Sequence, residues 1–150
     1  FHTNALKKDD LKKEWITTAF EDRKNYLSEE EKTTIESKME NKDYDSVIDL
    51  LKKNAGETEV DEDIKNGIGN LTLLDSETSR SYGNSLFCTK RRIIIDRIKQ
   101  GVFVPVATQY IFSKFYDEKG TNRSVWAKED MEAYQKYIVK MLSEYLPENN

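Results

Sequence analysis

Apolar residues recur along this chain at steps of three and four, the spacing that places side chains on one face of an α-helix. Near the start, the pattern runs through residues 9–27 and includes Leu11, Trp15, Ile16, Ala19 and Phe20. Near the end, the same spacing links Met131, Tyr134, Ile138, Met141 or Leu142, and Tyr145. Charged residues make up 35% of the chain and fill the positions between. The sequence therefore predicts a mainly helical fold around a modest core.

Several helix boundaries are marked by residues with defined local roles. Ser28 followed by Glu31 matches a capping box, which begins a helix. A further helix is predicted over residues 43–54, and it ends where Gly56 supplies a left-handed cap. Trp126 and Met131 stand where a hydrophobic staple would join them at the start of the last helix. Pro147 is predicted to end that helix.

Residues 67–84, GIGNLTLLDSETSRSYGN, interrupt the charged helical pattern. The short apolar run 68–74 predicts a strand with Leu71, Leu73 and Leu74 buried. Residues 76–84 predict a turn, and residues 56–66 a loop. Residues 86–99 predict a helix that Gly101 ends, 102–106 a short strand limited by Pro105, and 108–116 another helix. The predicted fold class is therefore mainly α with a small β element.

The charges are unevenly distributed. The net charge is −4, yet residues 80–99 carry six basic residues against Asp96. Residues 21–63, in contrast, carry 15 acidic against 7 basic residues. A basic segment on an acidic protein is a candidate phosphate-binding surface, although charge alone favours an ordinary solvated helix face.

Composition excludes several classes of protein. A single cysteine, Cys88, excludes an internal disulfide and a thiolate zinc cluster, and it fits a reducing cytoplasm, where it would act as a small apolar side chain. No apolar run approaches the roughly 20 residues that span a bilayer, and no signal peptide is recognisable. Because the chain starts at Phe1, we expect it to be a fragment of a longer protein.

The string IGNLTLL (68–74), followed by Asn84, Phe87 and Lys90-Arg91, resembles the C-terminal HNH nuclease domain of GmrSD-type, modification-dependent restriction enzymes. The resemblance continues through residues 101–116 and Trp126, and it is looser before residue 67. It implies a ββα-metal (HNH) unit embedded in a helical domain. Residues 1–150 would then form one domain: a helical insertion (1–66), the strand–turn–helix (67–101) and C-terminal helices (102–150). It also implies an upstream ParB-like nucleotide-hydrolysing domain.

The resemblance assigns roles to individual residues. Asn70 corresponds to the asparagine that pins the loop carrying the general base, or it is a turn residue bonded to its own backbone. Ser79 stands where the family has a metal-binding Asn, and a hydroxyl is a weaker ligand than a carboxamide for a hard cation. Asn84 is a second candidate ligand or a helix-start residue. His2 corresponds to the second His of the first-strand motif, or it is an exposed terminal residue.

Two functions follow from the resemblance. The first is a DNA endonuclease of a bacterial restriction or defence system that uses Mg²⁺ or a similar cation, with Arg80, Lys90, Arg91 and Arg92 on phosphates. The second is a catalytically inactive module of the same fold that binds DNA or a protein partner. Because Ser79 replaces an Asn, and an acid-His pair is expected before Phe1, we expect weak Mg²⁺ binding and little cleavage from this chain.

Overall fold

The computed structural model describes residues 8–57, 60–116 and 122–145. Within these residues the chain forms two 3-10 turns, Ile68–Asn70 and Ser143–Tyr145, and eight α-helices. The helices are α1 (Asp9–Arg23), α2 (Glu29–Glu40), α3 (Tyr44–Asn54), α4 (Glu62–Lys65), α5 (Ser76–Tyr82), α6 (Phe87–Lys99), α7 (Val106–Ser113) and α8 (Lys128–Leu142). None of the helices in the described part of the chain has the length and apolar character to cross a lipid bilayer.

The predicted helix boundaries are largely confirmed. The capping box begins α2, because Ser28 Oγ accepts from the Glu31 N–H at 3.1 Å and the Glu31 carboxylate accepts from the Ser28 N–H at 2.8 Å. Helix α3 ends at Asn54, and Gly56 has a φ of +68°, the left-handed conformation that a glycine adopts without strain. At α8 the Asp130 carboxylate accepts from the Ala127 N–H at 2.9 Å. Pro147 lies outside the described residues.

The described part of the chain packs around two hydrophobic clusters, and α6 contributes to both. The first lies between α1, α2 and α3, and its fully buried members include Ile16, Val47, Leu51 and Leu86. The second is contributed by α6, α7 and α8, and it contains Ile94, Val104, Ile111, Phe112 and Tyr134. Cys88 of α6 packs against the first cluster, and Ile94 in the middle of the same helix belongs to the second.

The predicted β element is wrong, and so is the ββα-metal (HNH) unit that the resemblance implied, because the regular elements of the described residues are only helices and 3-10 turns. No strand occurs over residues 8–57, 60–116 and 122–145. Residues 68–70 form a 3-10 turn, and Leu71 is extended (φ −109°, ψ 146°) without joining a ladder. An extended segment becomes a strand only when a second segment offers its backbone. Here the Thr108 hydroxyl, on helix α7, donates to the Leu73 carbonyl at 2.6 Å instead.

The burial predicted for this segment is also mostly wrong. Leu71 and Leu73 are 57% and 78% exposed, whereas Leu74 packs against the second hydrophobic cluster. In an extended backbone, residues two positions apart point to the same side, which agrees with the shared exposure of Leu71 and Leu73. The segment therefore crosses the surface of the helices and does not enter the core.

The structure also corrects the predictions for three neighbouring segments. Residues 76–84 were expected to form a turn, but Asp75 accepts from the Thr78 N–H at 2.9 Å and begins helix α5. The strand predicted over 102–106 does not form, because Pro105 is the N-cap of α7 and Val106 is already helical. The acidic loop 56–66 contains the one-turn helix α4.

Candidate functional site

The 3-10 turn Ile68–Asn70 holds the first candidate residue. The Asn70 side-chain N–H donates to the Lys65 carbonyl at 2.8 Å, which joins the turn to the end of α4. The Asn70 carboxamide oxygen accepts from the Trp126 indole N–H at 2.9 Å. Both ends of the carboxamide are therefore bonded within the protein, and Asn70 fastens the turn to the residues that precede α8.

A glycine in the same turn allows its close approach to α8. Gly69 is buried, and a Cβ atom built on it would overlap the Met131 carbonyl oxygen in the first turns of α8. Its backbone does not need the left-handed region, so space is the reason for glycine here. The adjacent Gly69 and Asn70 thus fix the turn on α8 by steric fit and by hydrogen bonding.

The candidate ligand Ser79 lies on α5, at the far end of the extended segment 71–75. Its side chain is exposed, and its backbone N–H bonds to the Asp75 carbonyl at 3.0 Å in the first turn of the helix. The pKa of Asp75, the N-cap, is lowered because its carboxylate accepts hydrogen bonds from Thr78. Arg80 is exposed beside Ser79, and its Nε donates to the Ser76 carbonyl at 3.0 Å.

Asn84 lies in the connection between α5 and α6. It is half-buried, and its carbonyl oxygen accepts from the Trp15 indole N–H at 3.2 Å. This hydrogen bond joins the connection to α1 across 69 positions of sequence. The position fits the alternative that Asn84 is a residue of the helix start.

The basic residues of α6 point in different directions, since consecutive residues of an α-helix are about 100° apart. Arg91 Nε donates to the Phe112 carbonyl at 2.8 Å, near the end of α7. Arg92 forms two hydrogen bonds with Asp22 of α1, at 2.7 and 3.1 Å, and this carboxylate raises the Arg92 pKa. Burial lowers the pKa of Lys90, against the opposing charge of Glu57. The helix does not present these three cations as one surface.

A buried polar network was not predicted from the sequence. Arg23, only 2% exposed, donates from Nη2 to the Asn54 carbonyl at 2.7 Å and from Nη1 to the Ser124 hydroxyl at 2.9 Å. The Ser124 hydroxyl in turn donates to the Asn122 carboxamide oxygen at 2.6 Å, and Lys114 Nζ donates to the Asn122 carbonyl at 2.9 Å. One signal for it was available: Arg23 follows Ala19 by four residues and so continues the apolar stripe of α1.

The predicted ligands do not form a cation site by themselves. Ser79 and Asn84 offer only neutral oxygens, whereas Mg²⁺ is usually held by carboxylates. Among the described residues there is no cluster of three or more His, Cys, Asp or Glu side chains that could hold a metal ion. His2, the predicted catalytic histidine, lies outside the residues that the structure describes.

Comparison with known proteins agrees with the resemblance of the sequence. The family described as GmrSD restriction endonucleases, C-terminal domain, matches residues 5–141. No curated protein and no solved structure matches the chain. The family match covers both the first helices and the Asn70 turn, including the half that the motifs alone resemble only loosely. The chain therefore belongs to the family of GmrSD restriction endonuclease C-terminal domains.

Proposed function

We propose that this domain cleaves DNA with a divalent cation, Mg²⁺ or similar, by HNH-type chemistry in a bacterial restriction system. Membership in a restriction endonuclease family supports a nuclease role in defence, and it makes DNA the substrate class. The observation that carries the proposal is the placement of Asn70, the residue of the family motif, in a turn fixed at both ends of its side chain. An upstream ParB-like domain and a cytoplasmic location belong to the same proposal.

The proposed roles follow from the contacts. Asn70 braces the turn and does not contact the reacting atoms, because its donor and acceptor groups are both bonded. Arg80 is exposed beside Ser79, where a guanidinium can bind a DNA phosphate. A cation held by Ser79 or Asn84 would need further ligands, since neutral oxygens alone are a weak set for Mg²⁺.

The proposal is tested by nicking of supercoiled plasmid DNA with Mg²⁺ or Mn²⁺, and with EDTA as the metal-free control. We expect slow, EDTA-sensitive nicking that increases at least tenfold in Ser79→Asn, because a carboxamide is a better ligand than a hydroxyl. Ser76→Asn, which adds the same group one turn earlier on α5, is the matched control and should change nothing. Nicking that persists undiminished in EDTA would contradict the metal-dependent mechanism.

A second candidate function is a DNA-binding or assembly module without catalysis. The observation that favours it is the exposed hydroxyl of Ser79 at the position where the family has a ligand. This alternative predicts DNA binding in an anisotropy titration, no nicking with any divalent cation, and no gain from Ser79→Asn. The plasmid-nicking assay and the Ser79→Asn variant therefore distinguish the two candidate functions.

A further inference from the structure

We infer that Trp126 is a positioning residue: its indole N–H holds the Asn70 carboxamide and so sets the course of the segment 71–75 toward Ser79. The relevance to DNA cleavage rests on the proposed function. The positioning itself is a property of the fold, and it can be measured without catalysis. The resemblance includes Trp126 but attaches no chemical role to it, so the assignment comes from its contacts with Asn70 and Phe87.

The indole ring is held from two sides, which fixes the direction of its N–H. It stacks on Phe87 of α6, with ring centroids 5.3 Å apart and planes 21° apart. Tyr116, beyond the end of α7, meets it edge-on with centroids 6.2 Å apart. Phe87 also stacks on Phe112 at 5.4 Å. A donor mounted on such a stack is pre-organised, since a ring packed on two sides has little freedom to turn.

The contacts also explain why position 70 requires an asparagine. The indole is a donor only, so its partner must be an acceptor, and the Lys65 carbonyl is an acceptor only, so its partner must be a donor. A carboxamide offers one of each on a short side chain. Aspartate can accept from Trp126 but cannot donate to Lys65 when ionised, and serine is shorter. Asn70 therefore has a structural role that does not require a metal ion.

The consequence is a defined starting direction for the exposed segment. Gly69 and Asn70 anchor the turn on α8, and the Leu71 N–H donates back to the Ile68 carbonyl at 3.2 Å. Beyond the turn, Thr72 and Thr108 share a hydrogen bond of 2.8 Å. Asp75 then begins α5, which carries Ser79 and Arg80. Loss of the indole hydrogen bond should therefore displace this segment and leave the helices of the first hydrophobic cluster unchanged.

The first test measures solvent exchange of the two indole N–H groups by ¹⁵N NMR. In Asn70→Ala, exchange of the Trp126 indole should accelerate about tenfold, which is the loss of one ordinary hydrogen bond. The Trp15 indole, bonded to Asn84, is the internal reference and should not change. In Trp126→Phe, backbone amide signals of residues 70–79 should shift while those of α2 and α3 stay in place. Unchanged exchange, or shifts spread over the whole chain, would overturn the inference.

The second test separates positioning from packing. Trp126→Phe should lower kcat of DNA cleavage about tenfold, as loss of a supporting contact typically does, with KM within twofold. Ile111→Val shortens a buried side chain of the same hydrophobic cluster that takes no part in the ring stack, and it should lower the melting temperature with kcat largely retained. Equal losses of kcat in both variants would contradict a positioning role for the indole. If the unmodified chain cleaves no DNA, the proposed function fails, and the exchange measurement still decides the inference.

Discussion

Lys114 and Asp130 form the most enclosed ion pair of the described residues. Nζ and Oδ1 are 2.7 Å apart, and the two side chains are 3% and 10% exposed. Lys114 itself has a left-handed φ of 52° at the end of α7, so its backbone ends the helix while its side chain reaches α8. Two buried charges are tolerated only when each offsets the desolvation cost of the other. Removing one partner is therefore much more harmful than removing an exposed ion pair.

The replacement Asp130→Asn tests this pair. It keeps an oxygen that can accept from the Ala127 N–H but removes the negative charge that lies 2.7 Å from the buried Lys114 ammonium. We expect a loss of about 3 kcal/mol in the free energy of unfolding, measured by urea denaturation. Glu129→Gln, an exposed change one position earlier, is the control and should cost less than about 1 kcal/mol. Equal losses in both variants would show that the ion pair does not stabilise the fold.

Single residues were predictable by type but not by partner. Asn70 was recognised from its motif, yet Trp126, its bonding partner, lies 56 positions away. Arg92 was recognised as basic, but its carboxylate, Asp22, is 70 positions distant. A linear pattern gives charge and local spacing, whereas each of these pairs depends on how two distant segments pack together. Phosphate contacts by Arg80, Lys90, Arg91 and Arg92 remain predictions.

At the scale of elements, periodicity predicted the long helices and failed for short segments. Helices α1, α3, α6 and α8 repeat apolar residues over several turns, so packing and local preference agree. The run 68–74 is too short for periodicity to distinguish a strand from an extended segment packed on helices. Whether such a run becomes a strand depends on a second segment that offers its backbone for hydrogen bonds. Helix α5 was missed because its polar residues, SETSRSY, have turn-like composition.

Carboxylates at three helix starts make stability dependent on pH. The Glu31 pKa is lowered by the Ser28 backbone N–H, the Asp43 pKa by Lys38, and the Asp75 pKa by Thr78. A carboxylate whose pKa is lower in the folded state stabilises the protein above its unfolded pKa of about 4. That contribution is lost as the pH falls through the lowered folded-state pKa. The melting temperature should therefore drop below about pH 4.

A cap variant isolates one of these groups. Asn at position 75 can still cap α5 but carries no charge, so Asp75→Asn should show a smaller fall in melting temperature between pH 5 and pH 2. Glu36→Gln, in the exposed middle of α2, removes one carboxylate without touching a cap and should retain the full dependence. Identical pH profiles for Asp75→Asn and the unmodified protein would contradict the role assigned to this cap.

On the scale of the whole molecule, the acidic and basic segments are in contact. Residues 21–63 and 80–99 carry opposite excesses of charge, and the Arg92–Asp22 pair joins them at 2.7 Å. Arg97 likewise pairs with Glu77 of α5 at 3.0 Å. Part of the basic excess is thus neutralised within the fold. Arg80 is exposed, and the Lys99 side chain is 73% exposed with Asp96 as a distant partner at 4.0 Å.

This distribution predicts which cations contribute to DNA affinity. Replacing Arg80 and Lys99 together by Ala should reduce the slope of log affinity against log salt by about two, since each phosphate contact releases about 0.9 of a counterion. The melting temperature should change little, because both side chains are exposed. The loss should be similar for unrelated duplexes, since phosphate contacts carry no sequence information. Anisotropy titrations at several salt concentrations measure the slope.

The matched control replaces Lys13 and Lys53, exposed lysines of α1 and α3, and it should leave the slope unchanged. The triple replacement of Lys90, Arg91 and Arg92 should flatten the slope by roughly two to three if these residues also contact phosphates. It should in addition lower the melting temperature, because it removes the Phe112 and Asp22 contacts. An equal loss of slope in the Arg80–Lys99 and Lys13–Lys53 variants would show that α5 and α6 carry no DNA-binding surface. The second candidate function, an assembly module without catalysis, would then be the better account.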